Sequence, residues 1–214
     1  MIKPVKKAGY EFFLPALTAS LRRKKKSTHQ LGDAEFRAVI ALVFRDTVIK
    51  FIKESKLYRI QIPIDIFAGV DRYDIFPPDG WYSEAATRLL TGRAKIPKTY
   101  QLTADELLFK KCCPGKDVNR ALYVEIAIVP LRSADICEFD VRFLEKYYDV
   151  ILAGMKWELA SMSGREWHSL GSVQYLRSQY ISYKNKAVTG GTDSAKPVKL
   201  KYKRLSDGMP NCRM

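Results

Sequence analysis

Leu57-Tyr-Arg-Ile-Gln-Ile-Pro-Ile-Asp-Ile66 is the stretch on which the fold turns. Tyr58, Ile60, Ile62, Ile64 and Ile66 are apolar, while Arg59, Gln61 and Asp65 take the positions between them. Strict alternation over this length is the signature of a half-buried strand, because successive side chains point to opposite faces. Pro63 interrupts the pattern with a residue that cannot donate to a ladder, so the strand is expected at a sheet edge or a bulge.

Upstream of Leu57 the period is different. Phe36, Ile40, Val43, Phe44, Thr47 and Phe51 recur at spacings of three and four, which predicts a helix over about 34–55 with one buried face. Asp33 is placed to cap it, since its carboxylate can accept from the free amides of the first turn. Arg37, Arg45, Lys50, Lys53 and Glu54 mostly fill the other faces.

Downstream, turn signals follow at Ala68-Gly69 and Pro77-Pro78-Asp79-Gly80. The segment 81–96 reads as a hairpin with Thr91-Gly92-Arg93 at its tip. One or two further strands are expected over 99–110, a turn at Cys113-Pro114-Gly115-Lys116-Asp117, and alternation again over 122–129, where Val124, Ile126 and Ile128 share a side. No helix separates these strands, so residues 57–130 predict an antiparallel unit of five or six strands, a small sandwich or a barrel.

Beyond Pro130 the helical period returns. Leu144, Tyr147, Tyr148, Ile151, Met155, Leu159 and Met162 mark one face of a helix from about 138 to 162. Gly154 in its interior costs about 1 kcal/mol relative to Ala and is the kind of position where another backbone approaches closely. Ser163-Gly164 ends that helix; Val173, Leu176, Tyr180, Tyr183 and Ala187 mark a second, from about 169 to 187, which Gly190-Gly191 is expected to break. The predicted fold class is α+β: a small helical bundle with an inserted antiparallel β unit and an extended basic C-terminal arm. The divisions are 1–56 for the N-terminal segment and first helix, 57–130 for the β insertion, 131–187 for two C-terminal helices, and 188–214 for a flexible arm.

The charge is concentrated at the ends. Eight Lys/Arg stand against two acidic residues in 1–33 and again in 184–214, so twelve of the fourteen net positive charges lie outside the middle of the chain. Basic ends of this kind bind nucleic acid or an acidic partner surface, or are simply solvated. Arg22-Arg23-Lys24-Lys25-Lys26 is the densest run and a candidate contact for DNA or an acidic surface. Lys196, Lys199, Lys201, Lys203 and Arg204 alternate with Val198, Leu200 and Tyr202, a pattern suited to phosphate neutralisation or to adding an arm to a neighbouring subunit. No apolar run reaches the roughly 20 residues of a membrane helix, and the basic N-terminus lacks an apolar signal region. Cys112, Cys113, Cys137 and Cys212 show neither a CxxC pair nor a disulfide framework, and read as reduced thiols.

Catalytic patterns are scarce. The two histidines, His29 and His168, lie in a loop and near a helix start. No phosphate-binding glycine loop, HExxH or GxSxG occurs. Asp71, Asp74 and Asp79 lack the glycine and closing glutamate of a calcium loop and read as turn-forming residues. The expectation is a non-enzymatic protein without a cofactor or metal.

The C-terminal stretch from Tyr148 to Ser169 resembles tailed-phage head-to-tail adaptor (connector) proteins. In that family a helix with Ile-x-x-Gly and a later Leu ends near a Met, followed by a short turn and a Trp. Ile151, Gly154, Leu159, Met162 and Trp167 occupy those places as helix-packing residues, with Tyr175, Tyr180 and Ala187 beyond them. Phe51 near the end of the first helix, then Pro63, Ala68-Gly69, Tyr73 and Pro77–Gly80, and the Val-Pro close at Pro130, follow the family's layout. The likeness spans about residues 10–187.

The resemblance implies a structural virion protein located at the head–tail interface and assembled in the host cytoplasm. It implies a homo-oligomeric ring, typically dodecameric, that docks under the portal protein, extends the DNA channel and receives a downstream tail or nozzle protein. Tyr147, Tyr148, Trp157, Tyr175, Tyr180 and Tyr183 are available to a ring contact or to the core. In such an assembly the arm bearing Lys196, Lys199, Lys201, Tyr202, Lys203 and Arg204 is the candidate docking element, and the basic ends can touch channel DNA without sequence choice. The competing reading is a basic nucleic-acid-binding module acting through its charged tails.

Overall fold

The computed structural model describes residues 6–20, 33–96, 99–110, 116–131, 136–165 and 167–191. The chain begins with β1 (Lys7–Ala8), a 3-10 turn (Tyr10–Phe12), α1 (Leu14–Ser20) and α2 (Asp33–Ser55). Six strands follow: β2 (Arg59–Ile66), β3 (Arg72–Asp74), β4 (Trp81–Thr91), β5 (Tyr100–Leu102), β6 (Glu106–Phe109) and β7 (Val118–Pro130). Then come β8 (Phe139–Asp140), α3 (Val141–Lys146), α4 (Tyr148–Ser161) and α5 (Leu170–Gly191). This is an α+β fold. Its described residues divide into two units, those up to 55 together with those from 136 to 191, and those from 56 to 131.

The first unit is helical. Phe36, Ile40, Val43, Phe44, Thr47 and Phe51 of α2 are all buried, so the three-four stripe is the packing face. Aromatic rings carry much of this core: Phe13 stacks on Tyr148 at 4.9 Å, and Phe44 meets both Phe13 and Phe139 edge-on or tilted. Fully burying such side chains contributes roughly 1.5–3 kcal/mol each. β1 pairs with β8, and the Val141 amide donates to the Lys6 carbonyl, which ties the described N-terminal segment beside the start of α3.

The single helix expected over 138–162 is instead a short strand and two helices. Asp140 ends β8 and accepts from the Arg142 amide at 2.8 Å, capping α3 where the longer helix was expected to run through. Tyr147 then leaves helical geometry (φ −113°, ψ 24°) with its ring held between Phe51 and Phe143. At the other end, α5 continues through Gly190 to Gly191 instead of stopping before them. Glycine disfavours a helix by only about 1 kcal/mol per residue and does not forbid one. The Thr189 hydroxyl bonds back to the Asn185 carbonyl, holding that last turn.

The second unit is two antiparallel three-stranded sheets, ordered β2-β7-β4 and β3-β6-β5. Ile60, Ile62 and Ile64 face Ile126, Val124 and Leu122 across the β2–β7 ladder. The Ile128 amide bonds the Tyr58 carbonyl. By the alternation of antiparallel ladders, even-numbered β2 residues turn their backbone toward β7 and odd-numbered ones away from it. Pro63 therefore sits at an outward position of an edge strand, where its missing N–H costs no ladder bond. Turns at 67–70 and 78–81 are closed by Val70 to Phe67 and Trp81 to Pro78 hydrogen bonds, as expected. The Tyr73 hydroxyl donates to the Val70 carbonyl at 2.9 Å and accepts from the Phe67 amide at 3.1 Å, pinning the first of these turns.

The hairpin expected over 81–96 does not form. Residues 81–91 are one long strand, and the chain past Thr91 stays beside β7, with the Arg93 and Ala94 amides donating to the Arg120 and Ala121 carbonyls. A Cβ at Gly92 would come within 2.5 Å of the Arg120 carbonyl oxygen, so glycine permits a close approach here and not a reversal. Two bulges, at Ser83/Ala85 and Ala86/Arg88, bend β4 along its length.

Candidate functional site

Gly154 lies at the crossing of α2, α4 and α5. A Cβ there would sit 2.6 Å from Thr47 Cγ2, closer than real Cβ atoms come, and 3.1 Å from the Tyr180 ring, a tight contact, so it is two side chains and not the expected backbone that approach here. The missing side chain is what lets Tyr180 reach into the bundle, and Tyr180 is the one fully buried side chain among those described in α5. Its ring stacks on Trp157 at 5.6 Å and 30°. Its hydroxyl donates to Glu54 at 3.4 Å, and Lys184 reaches the same carboxylate oxygen at 2.7 Å. Burial first, then the Glu54 and Glu158 carboxylates, hold the Tyr180 phenol well above the usual tyrosine range.

Cations cover the same aromatics. The Lys50 ammonium sits 4.2 Å above the Trp157 ring and 2.9 Å from Glu158, and the Arg177 guanidinium lies 5.9 Å from the centre of that ring. Contacts of this type are worth roughly 0.5–1 kcal/mol at exposed sites. α5 is thus held to α2 and α4 by one inserted tyrosine and a ring of charge–aromatic contacts. Arg177, Lys184 and Lys186 are its cations, and it carries no acidic residue.

The residues chosen from the sequence for helix packing fall around this seam. Ile151 and Leu159 are fully buried, Gly154 is the crossing point, and Met162 caps α4 with its amide on the Leu159 carbonyl. Trp167 packs edge-on against Phe36 at 5.5 Å. Among the aromatics offered for a ring contact or the core, Tyr147 and Tyr180 are buried, Tyr148, Trp157 and Tyr183 are half-buried, and Tyr175 is exposed. Arg22, Arg23, Lys24, Lys25 and Lys26 lie outside the described residues, as do Lys196, Lys199, Lys201, Tyr202, Lys203 and Arg204. His29, Cys112, Cys113 and Cys212 do so too.

A second constellation, missed in the sequence, sits on the β2-β7-β4 sheet. Glu125 of the central strand is fully buried and is held by Arg59 at 3.4 Å and Arg88 at 3.2 Å, one from each neighbouring strand. The bulge at Ala86/Arg88 makes Thr87 the extra residue, and its hydroxyl lies 2.9 Å from the Glu125 carboxylate and 3.0 Å from its carbonyl oxygen. The only signal in the sequence was an acid within an otherwise apolar run, Tyr123-Val-Glu-Ile-Ala127. Two arginines on a carboxylate that water does not reach form a structural clamp; Arg59 is largely covered and Arg88 half open to solvent.

The described residues bring together no group of three His, Cys, Asp or Glu side chains able to hold a metal ion. The His168 ring is 2.8 Å from the Ala160 carbonyl, and the Ser169 amide reaches the same oxygen, so this histidine closes the α4–α5 turn. No described helix is long and apolar enough to cross a membrane. No protein-family model matches the chain, and no curated protein matches it.

Proposed function

We propose that this chain is a structural, non-enzymatic subunit of a tailed-phage particle, an adaptor that docks under the portal as a homo-oligomeric, typically dodecameric ring. In this reading it extends the DNA channel and receives the next tail or nozzle protein. The observation that carries it is the chain order. α2 is separated from α4 and α5 by the whole β insertion, yet all three meet at Gly154, the glycine of the adaptor-like motif. In this reading the bundle serves as a wedge, and the inserted β unit offers a surface of its own to a further partner. The deciding experiment mixes the folded protein with its portal and images the product by electron microscopy. A symmetric ring below the portal is expected; a folded protein that binds no portal sinks the reading.

The distribution of charge favours a second reading, a basic module acting on nucleic acid through its ends. The single sign of charge on α5, all cations and no acids, continues into the basic segment that follows in the sequence. It predicts DNA binding with a steep salt dependence, lost on deleting residues 188–214. Binding that is insensitive to salt or to that deletion removes it.

A further inference from the structure

α3 and α4 carry one helical period cut in two. The stretch from Val141 to Ala153 holds no proline and no glycine, and Leu144, Ile151, Met155 and Leu159 keep their spacing of seven and four straight across the break. The Tyr147 amide still bonds the Phe143 carbonyl, and the Ile151 amide the Tyr147 carbonyl, at 3.1 Å each. Between Val141 and Ser161, Tyr147 alone stands outside helical structure. Helices kink at proline, at glycine or serine pairs, or where something intrudes on the hydrogen-bond ladder, and none of those residues stands here. The cause lies in what packs against the segment.

Two adjacent side chains are drawn to one line of α2. Phe44 and Phe51 are seven residues, about two turns, apart on that helix. Tyr147 sets its ring 5.2 Å from Phe51. Tyr148 stacks on Phe13 at 4.9 Å and 13°, and Phe13 in turn lies 5.6 Å from Phe44. A regular helix turns successive side chains about 100° apart, and the change of backbone at Tyr147 takes up the difference. Phe12, from the same N-terminal segment as Phe13, meets Tyr148 edge-on at 5.8 Å. That segment also holds the other end of α3. Lys7 and Ala8 pair with Asp140 and Phe139, and the Lys6 carbonyl accepts the Val141 amide, the first of the helix. Residues 6–17 thus grip α3 before its first turn and again just past its last, with Phe13 and Leu17 fully buried.

We propose that this N-terminal segment is a latch for the helix it grips. Seated, it holds the break at Tyr147. Lifted, it lets residues 141–161 close into one continuous helix and bares the faces of Tyr148 and Phe44 that Phe13 covers. Asp140 remains the cap in both forms, because its bond from the Arg142 amide is local. The latch stands apart from the ring reading and needs no portal.

Nuclear magnetic resonance on the full-length chain reads the break at one atom, because the chemical shift of a Cα follows its φ and ψ. In wild type the Tyr147 Cα is expected outside the helical range, with those of Phe143 and Ile151 inside it. F13A removes the stack on Tyr148 and should bring Tyr147 into the helical range while its two neighbours keep their values. Should F13A fail to fold, Y148A carries the test, since it removes the same stack from its half-buried end. Two results overturn the proposal. One is a wild-type Tyr147 already in the helical range. The other is a folded F13A or Y148A in which Tyr147 keeps its wild-type shift, which assigns the break to Phe51 alone.

Discussion

The α5 seam of the helical unit and the β2-β7-β4 sheet treat charge in opposite ways. At the α5 seam the charges stay at the rim: Lys50, Glu158, Glu54 and Lys184 ring the outside of the Trp157–Tyr180 stack, each part-exposed. In the β unit a carboxylate is taken fully inside, at Glu125, and clamped by two arginines from the flanking strands. The first arrangement attaches a helix that buries one residue. The second locks three strands in one register, since a shift by a single residue would move Glu125 to the opposite face of the sheet from Arg88. One seam attaches a helix by contacts at its rim, the other fixes the register of a sheet.

The clamp is the stronger test of that contrast. Replacing both arginines, R59M with R88M, leaves a buried carboxylate without its countercharges. Losing the partners of a buried charge costs roughly 3–5 kcal/mol, discounted here because Arg88 is half exposed. Denaturant unfolding should show this as the largest loss in the molecule, and E125Q as a smaller one, since the freed arginines can turn to water. If the double variant unfolds like wild type, the clamp carries no weight. The helical seam should respond less. G154V drives two methyl groups into Thr47 and Tyr180, and overpacking of this kind costs about 1–3 kcal/mol. Trp157 fluorescence reports it directly, because its stacking on Tyr180 is what the valine disturbs. G154A is the sharper version: helix propensity alone would stabilise by about 1 kcal/mol, so a net loss demonstrates the close approach.

Much of this contrast could be read in advance where one period ruled a segment. The α2 stripe, the alternation of β2, the edge position of Pro63 and the tight crossing at Gly154 all follow from spacing or from one residue's chemistry. The failures occur where a tertiary partner decided. Tyr147 breaks the helix because Phe51 and Phe143 claim its ring, with no proline or glycine to announce it. β4 runs straight past Gly92 because the start of β7 lies alongside, and the two bulges that aim Thr87 and Arg88 leave no mark in the alternation. Glu125 was invisible for the same reason: its partners are 66 and 37 residues away. The Glu54–Tyr180 pairing, 126 residues apart, was equally beyond local patterns.

That pairing gives the smallest expected effect and the most specific signature. Tyr180 is neutral in the folded protein, and burial with nearby carboxylates opposes its ionisation, so its folded pKa lies above the ordinary value of 10.0. A group held up in this way contributes fully below the unfolded pKa. The contribution falls away as pH rises from about 10 through the folded value, because the unfolded chain ionises first and is favoured. Stability of the wild type should therefore decline more steeply above pH 10 than that of Y180F, which has nothing to ionise at this position. Near neutral pH, Y180F should lose only about 0.5–1.5 kcal/mol, the hydrogen bond to Glu54 being long and half open to water. An ultraviolet titration separates this from a general alkaline effect: Y180F should show one tyrosine fewer than wild type among those that ionise only when the fold opens, beside the other buried tyrosines Tyr58, Tyr73 and Tyr147. If all tyrosines titrate together while the fold is intact, Tyr180 is not inserted behind Gly154, and α5 is held by its charges alone.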